Sequence, residues 1–405
     1  MIANSYTDYM YSLVKRVIDD VGPRPSCSEQ ERRLGHILVE EWKPLCDRVS
    51  TETFKCSPAA FLSSLPLAAL FYFAAVISYW FYPPVSLAMI VIGVSVLFLE
   101  LRYHELIDFL FPRRQGENII GTIASNSEPR QRVIVSAHVD SAYEFNLFYY
   151  LRGASFLVFA ICILGCLILL GGSLAKTIAY VGGSSGMLVF TVIGIITAAI
   201  TPVISLLLVF HTYKPVPGAM DDMTGIAVVT GLGRYLNEAK RNEQWAPERT
   251  EVILLATSSE EAGLRGAKRY VTKHLEEMKT VPTFGLFLDC IYDERALTVV
   301  DREFFTGAKH DRKLIKIAQD VAGNHNWPIA VKPVPVGASD ASAFSLKGIP
   351  STCITCQDTF KLVPNYHTRN DTYEYVRPES LSVSLQLVIG IIERIDKQQV
   401  DIMTV

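Results

Sequence analysis

Three stretches of the chain lose their charges altogether: Ser57 to Leu99, Gly153 to Ala175 and Thr177 to Thr212 contain no Asp, Glu, Lys or Arg. Along them run apolar segments near Phe61 to Phe81, Val85 to Leu101, Ala154 to Leu170 and Met187 to Val209, the second reaching just past its stretch to take in Glu100. Each has roughly the length that a hydrocarbon core of about 30 Å asks of a helix. The pattern predicts four transmembrane helices arranged as two hairpins. The second run is short and its uncharged part stops at Glu100. For that run an interfacial placement, a re-entrant turn at Pro83 and Pro84, or a buried core helix stays open.

Outside these runs the periodicity changes. "RVIVSAHVD", "EVILLATSSEE" and "TFGLFLD" are apolar stretches that end in polar residues, as strands do. "GIAVVTGLGRYLNEAK" and "GLRGAKRYVTKHLEEM" carry a helical repeat between them, and "DDVGPRPSCSEQERRLGHILVEEW" reads as helix, two-proline turn and amphipathic helix. Alternating strands and helices predict a layered α/β sheet that gathers ligands at the carboxyl ends of its strands. Each hairpin returns the chain to the side it left, so the polar segments 1–58, 104–149 and 211–405 can form one domain, interrupted by hairpins at 59–103 and 150–210.

Composition adds three restrictions. A net charge of -3 over 405 residues gives no reason to expect nucleic acid. Met1 to Asp20 is amphipathic and has no apolar signal-peptide core, so the first span is expected to target the chain. The eight cysteines form no secreted disulfide pattern, and Cys353 and Cys356 in "STCITCQ" sit among β-branched residues, as structural cysteines of a buried strand. Arg48, Lys55, Arg102, Arg113, Arg114, Arg152 and Lys214 flank the spans on the polar-domain side, against Lys176 alone at the hairpin tips. This bias predicts a multi-pass protein with its polar domain in the cytoplasm. It agrees with the position of the one glycosylation pattern, at Asn370, where a sugar would crowd His367.

Five strand ends or loops supply histidines and carboxylates: His138 and Asp140 in "AHVDS", Asp221 and Asp222 in "PGAMDDMTG", Glu260 and Glu261 in "SSEEAGLRG", Asp289 in "FLDC", and His367 in "NYHTRNDT". Singly these are weak signals, because acidic residues at such places are commonly turns or helix caps. Jointly they make a set of imidazole and carboxylate donors that suits zinc, with cobalt or manganese also admissible. Two ions about 3.5 to 4 Å apart can share one carboxylate and activate water for attack on a carbonyl.

In this order the motifs resemble those of the co-catalytic di-zinc peptidases, which include bacterial leucyl-type aminopeptidases and have glutamate carboxypeptidases and glutaminyl cyclases as relatives. "IDDVGPRP" is similar to the family's first helix and Gly-Pro-Arg turn, "VIVSAHVDS" to its first metal strand, and "PGAMDDMTGIA" to its bridging-ligand loop. "SSEEAGLRGA", "FLDC", "GASDASAFSLKGIP" and "HTRNDT" follow in the family's sequence. The resemblance implies a three-layer fold with a mixed, mostly parallel sheet, and two zinc ions. It implies that His138 and Asp289 hold one ion, Glu261 and His367 the other, and Asp221 bridges them. Glu260 would be the general base, and Asp140 the carboxylate that orients the His138 ring. Many relatives have a His after the Asp of the "SD" motif, where this chain has Ala341 after Asp340, so contacts to substrate there are not carried over.

The second hairpin lies between His138 and Asp221, which in the family are joined fairly directly. That insertion predicts an active-site mouth near the membrane and an apolar or membrane-associated substrate. The function expected is a membrane-integrated exopeptidase, most simply an aminopeptidase cleaving peptide or amide bonds. A zinc amidohydrolase of amide-linked lipids, and a non-catalytic receptor or scaffold on the same fold, are the alternatives.

Overall fold

The computed structural model describes residues 4–184, 186–242 and 245–397; the ends of the first and last expected segments, 1–3 and 398–405, lie outside them. Along the chain, helices α1 (Asn4–Asp20) and α2 (Glu29–Trp42) lead into β1 (Arg48–Cys56). Helices α3 (Ala60–Phe81) and α4 (Pro83–Leu101) precede β2 (Arg114–Ile123) and β3 (Gln131–His138). Next come β4 (Tyr143–Phe145), α5 (Asn146–Leu151), α6 (Ser155–Val181), α7 (Leu188–Ile204) and β5 (His211–Pro215). The remainder alternates: α8 (Thr224–Arg241), β6 (Thr250–Thr257), α9 (Arg265–Thr280), β7 (Thr283–Leu288), β8 (Thr298–Glu303), α10 (Arg312–Asn324), β9 (Ala330–Val334), α11 (Ala341–Ser345), β10 (Ser351–Thr355) and α12 (Pro378–Lys397).

The chain divides into two units, one of residues 1–58, 113–143 and 215–405, the other of 59–112 and 144–214. The first holds an eight-stranded sheet in the order β1-β2-β6-β3-β7-β10-β8-β9. Its centre is parallel, β6 with β3, β3 with β7 and β7 with β10, while β1, β2 and β6 pair antiparallel at one side. The strands alternate between two buried faces. Val133 and Val135 of β3 pack with α1, α2, α8, α10 and α12, whereas Ile134 packs with α9 and α11. Each fully buried aliphatic side chain contributes about 1.5–3 kcal/mol, so this two-sided burial holds the central strands in register. The result is the three-layer, mixed and mostly parallel fold expected from the strand and helix patterns.

Helices α3, α4 and α6 and the segment Leu188–Val209 of the second unit are long and apolar enough to cross a membrane. Their surfaces are inverted relative to soluble helices. Ile77, Leu157, Ile163 and Leu188 are exposed, while Ser86, Ser173 and Thr197 are buried. The buried groups are bonded within the unit: Tyr72 Oη donates to Thr197 O at 3.0 Å, Tyr79 Oη donates to Phe190 O at 3.1 Å, and the Ser86 and Ser173 hydroxyls lie 2.8 Å apart. Small and polar residues at helix interfaces, with apolar residues outward, suit packing in lipid.

The third span is longer than its apolar run suggested, a 27-residue helix that continues past Leu170 to Val181. Gly172 lets α7 approach, since a Cβ there would strike Ile193. Lys176 is accommodated because its Nζ donates to Tyr79 O at 2.7 Å and lies 4.2 Å from the Tyr79 ring centre.

Candidate metal centre

The parallel register sets His138 beside Thr257, so the residues that follow β3 and β6 emerge at one edge of the sheet. Asp140, the Ser258–Glu261 loop and Asp289, just after β7, therefore meet at the carboxyl ends of the three central strands. Asp221 arrives on the loop before α8. Gly218 opens that loop at φ +68, and a Cβ there would collide with Ser141. His367 comes from the turn ahead of α12, tied to the Asp221 loop by Asp371, whose Oδ1 accepts from Met220 N at 2.7 Å and Oδ2 from Asp221 N at 3.2 Å.

Asp221 is the centre of the cluster. Its Oδ1 lies 3.1 Å from His138 Nε2 and its Oδ2 lies 3.0 Å from His367 Nε2, so the two oxygens face different imidazoles. Glu261 Oε1 stands 3.4 Å from His367 Nε2. Donor atoms of His138, Asp221 and Glu261 all fall within 4.8 Å of one another, as do those of Asp221, Asp289 and Cys290. The five residues expected as ligands are thus brought together, with Cys290 as an addition.

The Asp140 carboxylate holds the Glu260 loop: Oδ1 accepts from Glu260 N at 3.0 Å, and Oδ2 accepts from Glu261 N at 3.1 Å and from Ser26 Oγ at 2.5 Å. His138 Nδ1 lies 3.0 Å from the main-chain oxygen of Asp140 and 3.4 Å from its carboxylate Oδ1. Arg24 of the Gly-Pro-Arg turn is fully buried and donates to the carbonyls of Gly22, Val139, Pro217 and Gly218, stapling the β3 end to the Asp221 loop. Asp222, whose peptide bond to Asp221 is cis, accepts from His138 N at 3.3 Å and from Gly225 N at 3.1 Å.

Burial drives the electrostatics. It pushes Glu261 up to about 8, Asp289 up to about 6 and Asp371 up to about 8, in each case with the charge of Asp221 adding to the effect. Asp340 is likewise pushed by burial up to about 7; its Oδ2 accepts from Thr257 Oγ1 at 2.5 Å and its buried Oδ1 accepts no hydrogen bond among the described residues. Burial also opposes charge on His367, but Glu261 and Asp221 outweigh it and bring that imidazole to about 9. Asp221 itself is held below the usual carboxylate range by the two histidines, against the pull of burial. So many carboxylates resisting ionisation in one buried place, with Glu261 Oε1 accepting no hydrogen bond among the described residues, fit a site built around divalent cations.

Fold and site together set a cluster of candidate metal ligands at the carboxyl edge of an α/β sheet. Residues 205–392 match the model of peptidase family M28, and this segment contains Asp221, Glu260, Glu261, Asp289 and His367, while His138 and Asp140 precede it. A glutamate carboxypeptidase 2 homolog of Caenorhabditis briggsae is 25% identical over 201 residues, 45% of this chain and 26% of that protein. The match spans about a quarter of the curated relatives' length. Among solved structures, BSAP, a zinc aminopeptidase from Bacillus subtilis, is similar at a TM-score of 0.57 and 15% identity, over 96% of this chain and 95% of that one. A glutaminyl cyclase from an Acidobacteriales bacterium is similar at 0.57 and 15%, over 98% and 97%. The motif resemblance to this group of peptidases is borne out, and these structural likenesses show the shared fold.

Proposed function

We propose that this protein is a membrane-integrated di-zinc aminopeptidase. The observation that carries the reading is Asp221, which turns one oxygen to each of two histidines at a buried acidic cluster, as a carboxylate shared by two ions would. His138 and Asp289 would hold one ion, Glu261 and His367 the other. When bound, such a pair supplies Lewis acidity to the scissile carbonyl and lowers the pKa of the attacking water. Glu260 adjoins the ligand Glu261 on a loop whose amides are fixed by Asp140. As general base, Glu260 takes the proton from water and returns it to the leaving amine. Asp140 keeps the loop and the His138 imidazole in mutual position.

We assign the substrate as apolar or membrane-associated, because the chain between His138 and Asp221 contains α6 and the apolar segment Leu188–Val209. The arginines flanking the spans support a cytoplasmic polar unit. The test uses detergent-purified protein and three matched substrates: a free aminoacyl amide, its N-blocked form and a lipid-linked form. Hydrolysis of the first, lowered about 10²- to 10⁴-fold by Glu260→Gln, is expected for an aminopeptidase. Turnover of the lipid-linked compound alone would replace this reading with a lipid amidohydrolase. Absence of both turnover and bound zinc would favour a receptor or scaffold.

A further inference from the structure

Cys27 follows the Gly-Pro-Arg turn and Cys56 ends β1, yet their sulfurs lie 3.5 Å apart and both side chains are buried. Neither is in a disulfide in this structure. The pair is joined to the candidate catalytic loop by three links. Cys27 Sγ is 3.2 Å from Ser259 Oγ. One carboxylate, Glu31, accepts from Cys27 N at 2.7 Å and from Ser259 N at 3.0 Å. Ser26, the neighbour of Cys27, donates to Asp140, which in turn holds the amides of Glu260 and Glu261.

We propose that Cys27 and Cys56 are a reversible disulfide site whose closure shifts the loop carrying Glu260 and Glu261; the second half of this statement rests on the function proposed above. A disulfide needs an S–S distance of about 2.05 Å, so the sulfurs must close by roughly 1.5 Å. That movement shifts the Cys27 sulfur, which contacts Ser259 Oγ, and pulls on the Glu31 carboxylate that accepts from the Cys27 and Ser259 amides. The oxidant is a peroxide, small enough to reach a buried pair. One thiolate attacks hydrogen peroxide, giving a sulfenic acid and hydroxide, which takes up a proton to become water. The second thiolate then displaces hydroxide from that sulfur, forming the S–S bond and a second water. Each sulfur is oxidised by one electron, and the peroxide is reduced by two.

The experiment treats the full-length protein in detergent with graded hydrogen peroxide, blocks remaining thiols by alkylation and maps peptides without reduction. A Cys27–Cys56 cross-linked peptide that accumulates while the other cysteines stay alkylatable, and that disappears with dithiothreitol, is the expected result. Its absence at peroxide levels that oxidise other cysteines overturns the proposal. This readout does not depend on activity, so an untreated protein without peptidase turnover would count against the proposed function and leave the disulfide decided by the map. In active protein, turnover should fall ten-fold or more in step with cross-linking and recover on reduction. Cys56→Ser and Cys56→Ala should keep the untreated activity and be indifferent to peroxide. A cross-link without loss of turnover overturns the coupling to the loop.

Discussion

Asp221 and Asp371 stand 150 positions apart, yet the second carboxylate accepts the amide of the first and the amide of Met220 before it. The two invite a graded prediction. Asp221→Asn removes the charge that both histidines face, and bound zinc should fall from about two ions per chain to below one, measured by plasma mass spectrometry after desalting. Asp371→Asn leaves every ligand in place but weakens the support of the loop, and a 10- to 100-fold loss of metal affinity is expected in a chelator competition. Equal effects from the two variants would remove Asp221 from the centre of the site. At this scale the sequence was informative where a residue type announces its chemistry. The histidines and the acidic pairs at strand ends could be picked out because imidazole and carboxylate are the donors that metals require. Asp371 was visible inside "HTRNDT" without a role, and Asp340 and Cys290 stood in quoted motifs without one. Their parts depend on which amide, hydroxyl or carboxylate the fold sets beside them, and no local pattern encodes that.

The elements show why the site is precise and where it is brittle. Gly266 opens α9 with its amide donating to Ser258 O at 2.9 Å, and its carbonyl accepts from Asn118 Nδ2 at 3.0 Å. A Cβ at this position would be driven against Ser258 O and Asn118 Oδ1, both backed by the sheet. Forcing a methyl into packed structure costs about 1–3 kcal/mol, and the strain falls on the residues next to Glu260 and Glu261. Gly266→Ala should therefore lower both turnover, by ten-fold or more, and the midpoint of thermal unfolding. Gly171→Ala in α6 meets nothing within 4 Å and serves as the control, with both quantities unchanged. Strands β3, β6 and β7 were legible because buried parallel strands are continuous apolar runs with a polar end. The extent of α6 was less so. A run judged by hydropathy alone stops at glycines and a lysine, whereas in the continuing helix Gly172 packs against α7 and Lys176 bonds to Tyr79 O.

At the scale of the whole molecule, both apolar insertions leave and re-enter the polar unit through paired strands. Cys56 is opposite Arg114 at the open end of the β1 and β2 ladder. At the second insertion β4 pairs with β5, and Val216 N donates to Ala142 O at 2.9 Å. The chain ends that excision would create are therefore already neighbours. Replacing each insertion with a short turn adds little loop-closure cost, and the three polar segments keep their sheet. A chain rebuilt with turns in place of 59–112 and 146–210 is expected to fold without detergent, bind zinc as the parent does, and hydrolyse a small polar aminoacyl amide at a similar rate. Its turnover of an apolar or lipid-linked substrate presented in vesicles should drop at least ten-fold, while the full chain should stay with membranes through alkaline carbonate extraction. Equal retention of both activities would mean that the hairpins only anchor the enzyme. Loss of both, with zinc still bound, would mean that the spans shape the site for every substrate. The selective loss alone is what delivery of substrate from the bilayer requires, because only that step needs an apolar path and leaves the chemistry at Asp221 and Glu260 untouched.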